Sequence, residues 1–80
     1  MKTSYHIVRA SYGKTTSHIS TYLDGPFATK EDAQDFLFRI YSSLVTEFAG
    51  KIVSCSYDFY LDSYTIETKY CIHQAEIFYE

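Results

Sequence analysis

Residues 29–50 read TKEDAQDFLFRIYSSLVTEFAG, and this stretch predicts the helix around which the rest of the chain is organised. Thr29 is a favourable N-cap, because its hydroxyl can accept a hydrogen bond from a free backbone N–H of the first turn. Asp32 stands three residues later, in the place that glutamate takes in a capping box. With Glu31 and Asp35 it puts negative charge at the positive end of the helix dipole. The helix is therefore expected to begin at Thr29.

The apolar residues of the same stretch recur at helical spacing and predict one buried face. They are Ala33, Phe36, Leu37, Ile40, Tyr41, Leu44 and Phe48. Gly50 ends the pattern, because glycine readily adopts the left-handed conformation that closes a helix. The predicted helix spans residues 29–49.

Two stretches after the helix alternate between apolar and polar residues, as half-buried β-strands do. They cover residues 51–62 and 64–79, and a tight turn at Asp62-Ser63 is predicted to join them. The inward-facing set of the first strand is Val53, Cys55, Tyr57, Phe59 and Leu61. The alternation changes phase near His73, which we interpret as a β-bulge or bend within the second strand.

Two stretches before the helix, residues 4–12 and 15–23, are rich in β-branched and aromatic residues and predict a first hairpin. Gly13 and Lys14 between them suit a two-residue turn with glycine at its first central position. The register set by this turn gives the cross-strand pairs Val8–Ile19, His6–Thr21, Tyr5–Tyr22 and Arg9–His18.

These elements predict an α+β fold: a single four-stranded antiparallel sheet in the order β-β-α-β-β, with one helix packed on one face. We expect residues 1–80 to form a single domain, because 80 residues is the length of one small domain. The content of hydrophobic residues is 46%, which is enough for a core and argues against disorder. One helix covers only one face of such a sheet, so the second face meets solvent or a partner.

The charge balance argues against general nucleic-acid binding. The net charge is −3, and the nine acidic residues of the second part, 31–80, outnumber its three basic ones. Binding to a phosphate backbone requires the opposite excess. The chain shows neither a signal peptide nor an apolar run long enough to span a membrane. We therefore expect a cytoplasmic protein.

The residues that most often carry catalysis or bind metals are few and poorly spaced. The histidines His6, His18 and His73 form no motif of metal-ligand spacing, and each suits the surface of a sheet. Cys71 and His73 lie two residues apart, as a nucleophile and its base could, but nothing completes that site. The predicted register puts Cys55 inside and Cys71 outside, so no disulfide is expected between them. We predict no enzymatic activity, no cofactor and no metal.

The outer face of the second hairpin is the leading candidate for a binding surface. The predicted register sets Asp58 opposite Glu67, with Tyr60 and Asp62 beside them. Like charges that face each other are destabilising, and tyrosine is enriched at interface hot spots. We interpret these four residues, followed by Tyr5 and Tyr22, as a surface for a larger protein with a basic site. The simpler interpretation is a solvated sheet face.

These observations favour a non-enzymatic protein-binding module that acts by occlusion. In size, acidity and compactness the chain is similar to the small inhibitors that bacteriophages encode, such as anti-CRISPR proteins, and the likeness implies a target in a host defence or nucleic-acid enzyme. One alternative is a small-ligand or single-stranded nucleic-acid binder that uses Arg9 and His18 with the tyrosines of the first hairpin. The other is a self-associating module such as a homodimer.

Overall fold

A computed structural model of the chain describes residues 3–80. It contains one helix and five strands. In chain order these are β1 (Tyr5–Gly13), β2 (Ile19–Phe27), α1 (Lys30–Glu47), β3 (Ile52–Asp58), β4 (Ser63–Thr68) and β5 (Cys71–Tyr79). The α+β class and the antiparallel sheet are as predicted, but the sheet has five strands and not four.

The helix begins where the sequence places it. The Thr29 hydroxyl accepts a hydrogen bond from the backbone N–H of Asp32 at 3.1 Å. The last helical residue is Glu47, two residues before the predicted end. Gly50 follows with a φ of +86°, a left-handed conformation that glycine adopts without strain.

The additional strand arises from a turn that the sequence analysis interpreted as a bulge. The predicted strand 64–79 is divided at Lys69-Tyr70, where the chain reverses direction. The Thr68 hydroxyl accepts a hydrogen bond from the Cys71 amide at 3.1 Å and so holds the turn. Each even-numbered residue of β4 lies opposite an odd-numbered residue of β5. The inward-facing residues are therefore even-numbered before this turn and odd-numbered after it. A bulge near His73 is therefore not needed to explain the phase change.

The strands lie in the order β2-β1-β5-β4-β3, and every neighbouring pair is antiparallel. One hairpin, of β1 and β2, therefore lies at one side of the sheet, and a second, of β3 and β4, lies at the other. The C-terminal strand β5 joins them by pairing with β1 from Tyr5–Tyr79 to Gly13–Cys71. The two edges of the sheet are β2 and β3.

Both hairpins differ from the predicted register by four residues. Val8 lies opposite Leu23 rather than Ile19, because residues 14–18 form a loop longer than the predicted turn. Tyr57 lies opposite Tyr64, because residues 59–62 form a loop in place of the predicted turn at Asp62-Ser63. A shift by an even number of residues keeps each side chain on its predicted face. The predicted pairing partners are wrong, but the division of residues between the two faces is kept where the pairing is regular. It fails at Val53, which lies at an irregularity between Ile52 and Ser54, and at Cys71, which was predicted to lie outside but shares the side of His73 and Ala75 after the turn at Lys69-Tyr70.

The core lies between the helix and the middle of the sheet. Its buried members are Ile7, Ala33, Leu37, Tyr64, Ile66 and Ala75. Val53, Cys55, Phe59 and Leu61 were predicted to face inward but are exposed. Their strand lies at the edge, and the loop after it leaves the sheet, so neighbours cover them on one side only.

Candidate protein-binding surface

The loop between β3 and β4 presents three consecutive large apolar residues to solvent. The exposed fractions of Phe59, Tyr60 and Leu61 are 72%, 98% and 70%. We call residues 59–61 the loop tip. Exposed apolar residues that stand alone are ordinary, but a contiguous group of them marks an interaction site.

The loop tip is held at its first end by Asp58. One oxygen of this carboxylate, Oδ1, accepts hydrogen bonds from the backbone amides of Tyr60 and Leu61, each at 2.9 Å. Aspartate commonly stabilises turns in this way, by bonding the amides two and three residues further on. The backbone of the loop tip is therefore tied to the end of β3.

Asp62 holds the second end of the loop tip. Its side chain is almost fully buried, and Oδ1 accepts a hydrogen bond from Gln34 Nε2 at 2.8 Å. The other oxygen, Oδ2, lies 3.5 Å from Lys30 Nζ, and the backbone carbonyl accepts from the Ile77 amide at 3.0 Å. Asp62 thus connects the loop to the first turns of α1 and to β5.

A group of aromatic rings continues the loop tip along the edge of the molecule. We call Phe38, Tyr41, Tyr57 and Phe59 the aromatic edge. The ring centroid of Tyr57 lies 4.7 Å from that of Phe59, 5.5 Å from that of Phe38 and 5.2 Å from that of Tyr41. These spacings are typical of interacting aromatic pairs. An open hollow of about 430 Å³ lies beside the rings, lined by Gln34, Asp35, Phe38, Tyr57, Phe59 and Asp62.

The two phenols of the aromatic edge are neutral at physiological pH. Burial, and then the Asp62 carboxylate, raise the pKa of Tyr57 above its ordinary value. The pKa of Tyr41 is also raised, first by its hydrogen bond with the Cys55 thiol and then by partial burial. The surface is therefore apolar, with hydroxyl groups that can donate hydrogen bonds but carry no charge.

The four residues predicted as an acidic surface do not form one patch. Asp58 lies opposite Ser63, and Glu67 lies opposite Ser54, so the predicted pairing of the two carboxylates is wrong. Glu67 instead forms an ion pair with Lys14, which lowers the pKa of the carboxyl. Asp58 and Asp62 brace the loop, as described above. Tyr60 is the member of this set that faces solvent freely.

Of the residues predicted as a site on the first hairpin, Arg9 and Tyr22 lie together, whereas His18 and Tyr5 lie apart from them. Arg9 Nε and Nη2 donate to the Asp24 carboxylate at 2.6 and 3.2 Å, and the guanidinium carbon lies 5.2 Å from the ring centroid of Tyr22. The predicted neighbour His18 bonds Ser20 at 2.9 Å instead. Tyr5 is half-buried at the other end of β1. The positive charge of Arg9 is therefore already compensated within the chain.

Helical spacing and strand alternation predict an inward position for Tyr41, Tyr57, Phe59 and Leu61, so these patterns do not identify them as a surface. A signal for the loop tip was nevertheless present in DFYLD, residues 58–62. Three consecutive large apolar residues cannot all face one side of a strand, and aspartates at both ends are typical of a turn. Phe38 lies outside the predicted apolar face of the helix, and it is exposed. The exposure of Val53 had no comparable signal, because it depends on β3 lying at the edge and on the irregular pairing between Ile52 and Ser54.

The cysteines and histidines are not grouped into a reactive site in the described residues, 3–80. Cys55 is exposed, Cys71 is half-buried, and both are free thiols. His73 Nδ1 lies 2.8 Å from Ser11 Oγ, and its ring stacks on Phe48 with centroids 5.1 Å apart. Burial lowers the pKa of His73, although Glu47 acts in the opposite direction. Within this part of the chain no three potential ligands converge as a metal site would require.

Comparisons with known proteins return no similar protein: no family model matches the sequence, and no match is found among curated proteins or solved structures. In the part of the chain that the structure describes, the single helix is not long and apolar enough to cross a membrane.

Proposed function

We propose that this chain is a non-enzymatic protein-binding module that docks through the loop tip and the aromatic edge and occludes a site on a larger protein. One observation carries the proposal. Three consecutive apolar side chains are exposed, while hydrogen bonds accepted by Asp58 and Asp62 hold the loop on both sides of them. A loop that merely connected two strands would have no need of apolar residues that solvent disfavours.

The energetics support docking through these residues. Fully burying a large apolar side chain contributes about 1.5–3 kcal/mol, so three such residues supply a substantial part of a binding free energy. Association normally costs about 0.5–1.5 kcal/mol for each side chain or loop residue that must be ordered. The braced backbone reduces that cost, because the loop is already held in one conformation. Tyr60, the most exposed residue, is the expected anchor.

The charges near the loop tip favour a partner with a basic rim. Asp58 accepts two amide hydrogen bonds but has no cationic partner among residues 3–80, and the whole chain has a net charge of −3. Complementary charges around an apolar centre mainly steer the encounter and select the partner. A basic site of a nucleic-acid enzyme has this chemistry. A phage-encoded inhibitor of a host defence enzyme, similar in kind to anti-CRISPR proteins and acting in the cytoplasm, is the specific form that we propose.

The alternative of a ligand or nucleic-acid site on the first hairpin has less support. Arg9 is the cation that such a site would offer, and Asp24 already compensates it with two hydrogen bonds. A nucleic-acid phosphate would therefore have to compete with a carboxylate of the same chain.

Cross-linking followed by titration tests the proposal. A photoreactive phenylalanine analogue in place of Tyr60 should capture the partner in source cells, and the same analogue in place of Leu23 is the matched control on the opposite edge. The captured protein is then purified and titrated calorimetrically with wild type, Tyr60→Ala and Leu23→Ala. We expect at least about a tenfold weaker affinity for Tyr60→Ala, as for interface anchors, and no change for Leu23→Ala. Equal affinities for wild type and Tyr60→Ala would refute the assignment of the surface.

A further inference from the structure

The two edges of the sheet offer different opportunities for pairing with another strand. An edge strand exposes unpaired backbone N–H and C=O groups, and proteins commonly block such edges with proline, bulges or charges. The edge strand β2 contains Pro26, and its pairing with β1 is irregular next to Gly25. At Gly25 the φ is +117° and an added Cβ would lie 3.0 Å from the Tyr5 carbonyl oxygen, so glycine is required there.

The other edge strand, β3, is irregular only at its start, where its pairing with β4 shifts between Ile52 and Ser54. Residues 54–58 of β3 read SCSYD and pair regularly with β4, and they contain neither proline nor glycine. Four of the five are exposed, and Tyr57 is half-buried. Cys55 and Tyr57 lie on the side of the helix, whereas Ser54, Ser56 and Asp58 lie on the open side, because side chains alternate along a strand.

We infer that a second copy of this chain pairs with this edge, β3 against β3 and antiparallel, about a two-fold axis at Ser56. The inference is independent of the proposed function. Ser56 is the midpoint of the regular segment, so this register uses all five residues. It sets Ser56 opposite its own copy, Cys55 opposite Tyr57, and Ser54 opposite Asp58. Hydroxyl groups then face the carboxylate, and no like charges lie opposite each other.

The neighbouring registers are less suitable. An axis at Cys55 sets Asp58 opposite the apolar Ile52. An axis at Tyr57 requires Phe59 and Tyr60 to continue the strand, although both lie in the loop after β3 and Asp58 accepts a hydrogen bond from the Tyr60 amide. The charge pattern of the segment therefore selects the axis at Ser56.

The same pairing extends the aromatic edge and leaves the loop tip accessible. Residues that face each other in an antiparallel pair lie on one side of the sheet, so both helices lie on the same side. Phe38, which is 47% exposed, then lines the seam from each copy. The two loop tips lie at opposite ends of the paired strands, so Tyr60 and Leu61 stay free.

Self-pairing of the β2 edge is the main competing arrangement, and charge disfavours it. The helix side of β2 carries Asp24 in its ion pair with Arg9. Two copies joined at that edge would bring both ion pairs into the seam, where the loss of water costs free energy. The helix side of residues 54–58 carries no charged side chain.

Disulfide trapping tests both the edge and the register. In a background with Cys55→Ser and Cys71→Ser, the full chain is given one new cysteine: Ser56→Cys, Ser54→Cys or Thr21→Cys. On mild oxidation we expect disulfide-linked dimers for Ser56→Cys alone. Residues that face each other across the axis lie within disulfide range. The two copies of residue 54 are offset by four residues, about 13 Å. Thr21→Cys, within the regularly paired residues 19–24 of the other edge strand, reports pairing through β2.

Sedimentation velocity of the wild type provides the second measurement. The mass of the wild type should rise with concentration from that of one chain towards that of two. In Ser56→Lys the rise should require at least about tenfold higher concentration, because two lysines then lie opposite each other at the axis. A single-chain mass at every concentration, or cross-linking of Thr21→Cys or Ser54→Cys as efficiently as Ser56→Cys, would overturn the inference. Tyr60→Ala should dimerise as wild type does, so a failure of the proposed function would be recognised separately.

Discussion

The two hairpins of this sheet use their polar residues in opposite ways. In the first hairpin, β1 and β2, Arg9 and Asp24 satisfy each other, and the tyrosine ring of residue 22 packs on the guanidinium. In the second hairpin, β3 and β4, Asp58 and Asp62 instead fix a loop whose own side chains are apolar and exposed. The comparison shows that a carboxylate can serve a binding surface by shaping it rather than by contacting the partner.

The largest expected effect separates the core of the second hairpin from its loop tip. Ile66→Ala removes a fully buried side chain and should lower the free energy of unfolding by about 2–5 kcal/mol. Leu61→Ala, in the exposed loop tip, should change it by no more than about 0.5 kcal/mol. Urea denaturation of both variants measures the difference. A loss of stability in Leu61→Ala as large as that in Ile66→Ala would mean that the loop tip is part of the core.

The second effect compares the two carboxylates that are tied to other elements. Asp62→Ala leaves Gln34 without its buried partner and should cost about 1–3 kcal/mol. Asp24→Ala should cost about 1 kcal/mol or less, because the partly exposed Arg9 can turn to water. The midpoints and slopes of urea denaturation give both values. If Asp24→Ala proved the more costly, the first hairpin and not the second would depend on its carboxylate.

The third effect compares the side chains that bond the backbone inside each loop. Asp58→Ala removes the acceptor of the Tyr60 and Leu61 amides and should cost about 0.5–1.5 kcal/mol. Thr16→Ala removes a long bond of 3.4 Å to the His18 amide and should change stability very little. Amide hydrogen exchange at residues 60 and 61 should accelerate in Asp58→Ala. Unchanged exchange there would show that the loop tip does not need this brace.

The smallest effect is a pH dependence where β1 of the first hairpin pairs with β5, at the hydrogen bond between Ser11 and His73. Burial lowers the pKa of His73 below the unfolded value of 6.5. Below pH 6.5 the unfolded chain therefore binds more protons than the folded chain does. The contribution of neutral His73 to stability is complete above pH 6.5 and is lost as the pH falls through the folded pKa. Urea midpoints at pH 7.5 and 5.5 should differ less in His73→Gln than in wild type. His18→Gln, at an exposed position, is the control. If the urea midpoint of His73→Gln changed with pH as much as that of wild type, the assignment of the pH dependence to His73 would be wrong.

The features that were predictable are those that depend on neighbouring residues. The helix start follows from Thr29 and the three acidic residues after it, and the division of side chains between the two faces follows from alternation. In the regularly paired parts of both hairpins the division persists despite the shift of four residues, because the shift is even and the side-chain period is two. The same fact explains why the shift could not be detected from the pattern.

The binding surface was less predictable, because burial depends on where the chain turns. Strand alternation predicts an outward position for Tyr60, but continued through the loop it also predicts an inward position for Phe59 and Leu61, which are exposed. The turn at Lys69-Tyr70 was likewise missed, because a change of phase has the same appearance in a bulge and in a hairpin.

Local composition and periodicity were sufficient to specify the helix, its cap, and which side of each strand is apolar, since these follow from interactions over a few residues. The order of the strands, the pairing of β5 with β1 and the position of β3 at an edge follow from contacts between residues far apart in the chain. Many such pairings satisfy one alternating pattern, and the packed sheet selects among them by the core that it can bury. That selection leaves Phe59, Tyr60 and Leu61 exposed, and the proposed function depends on it.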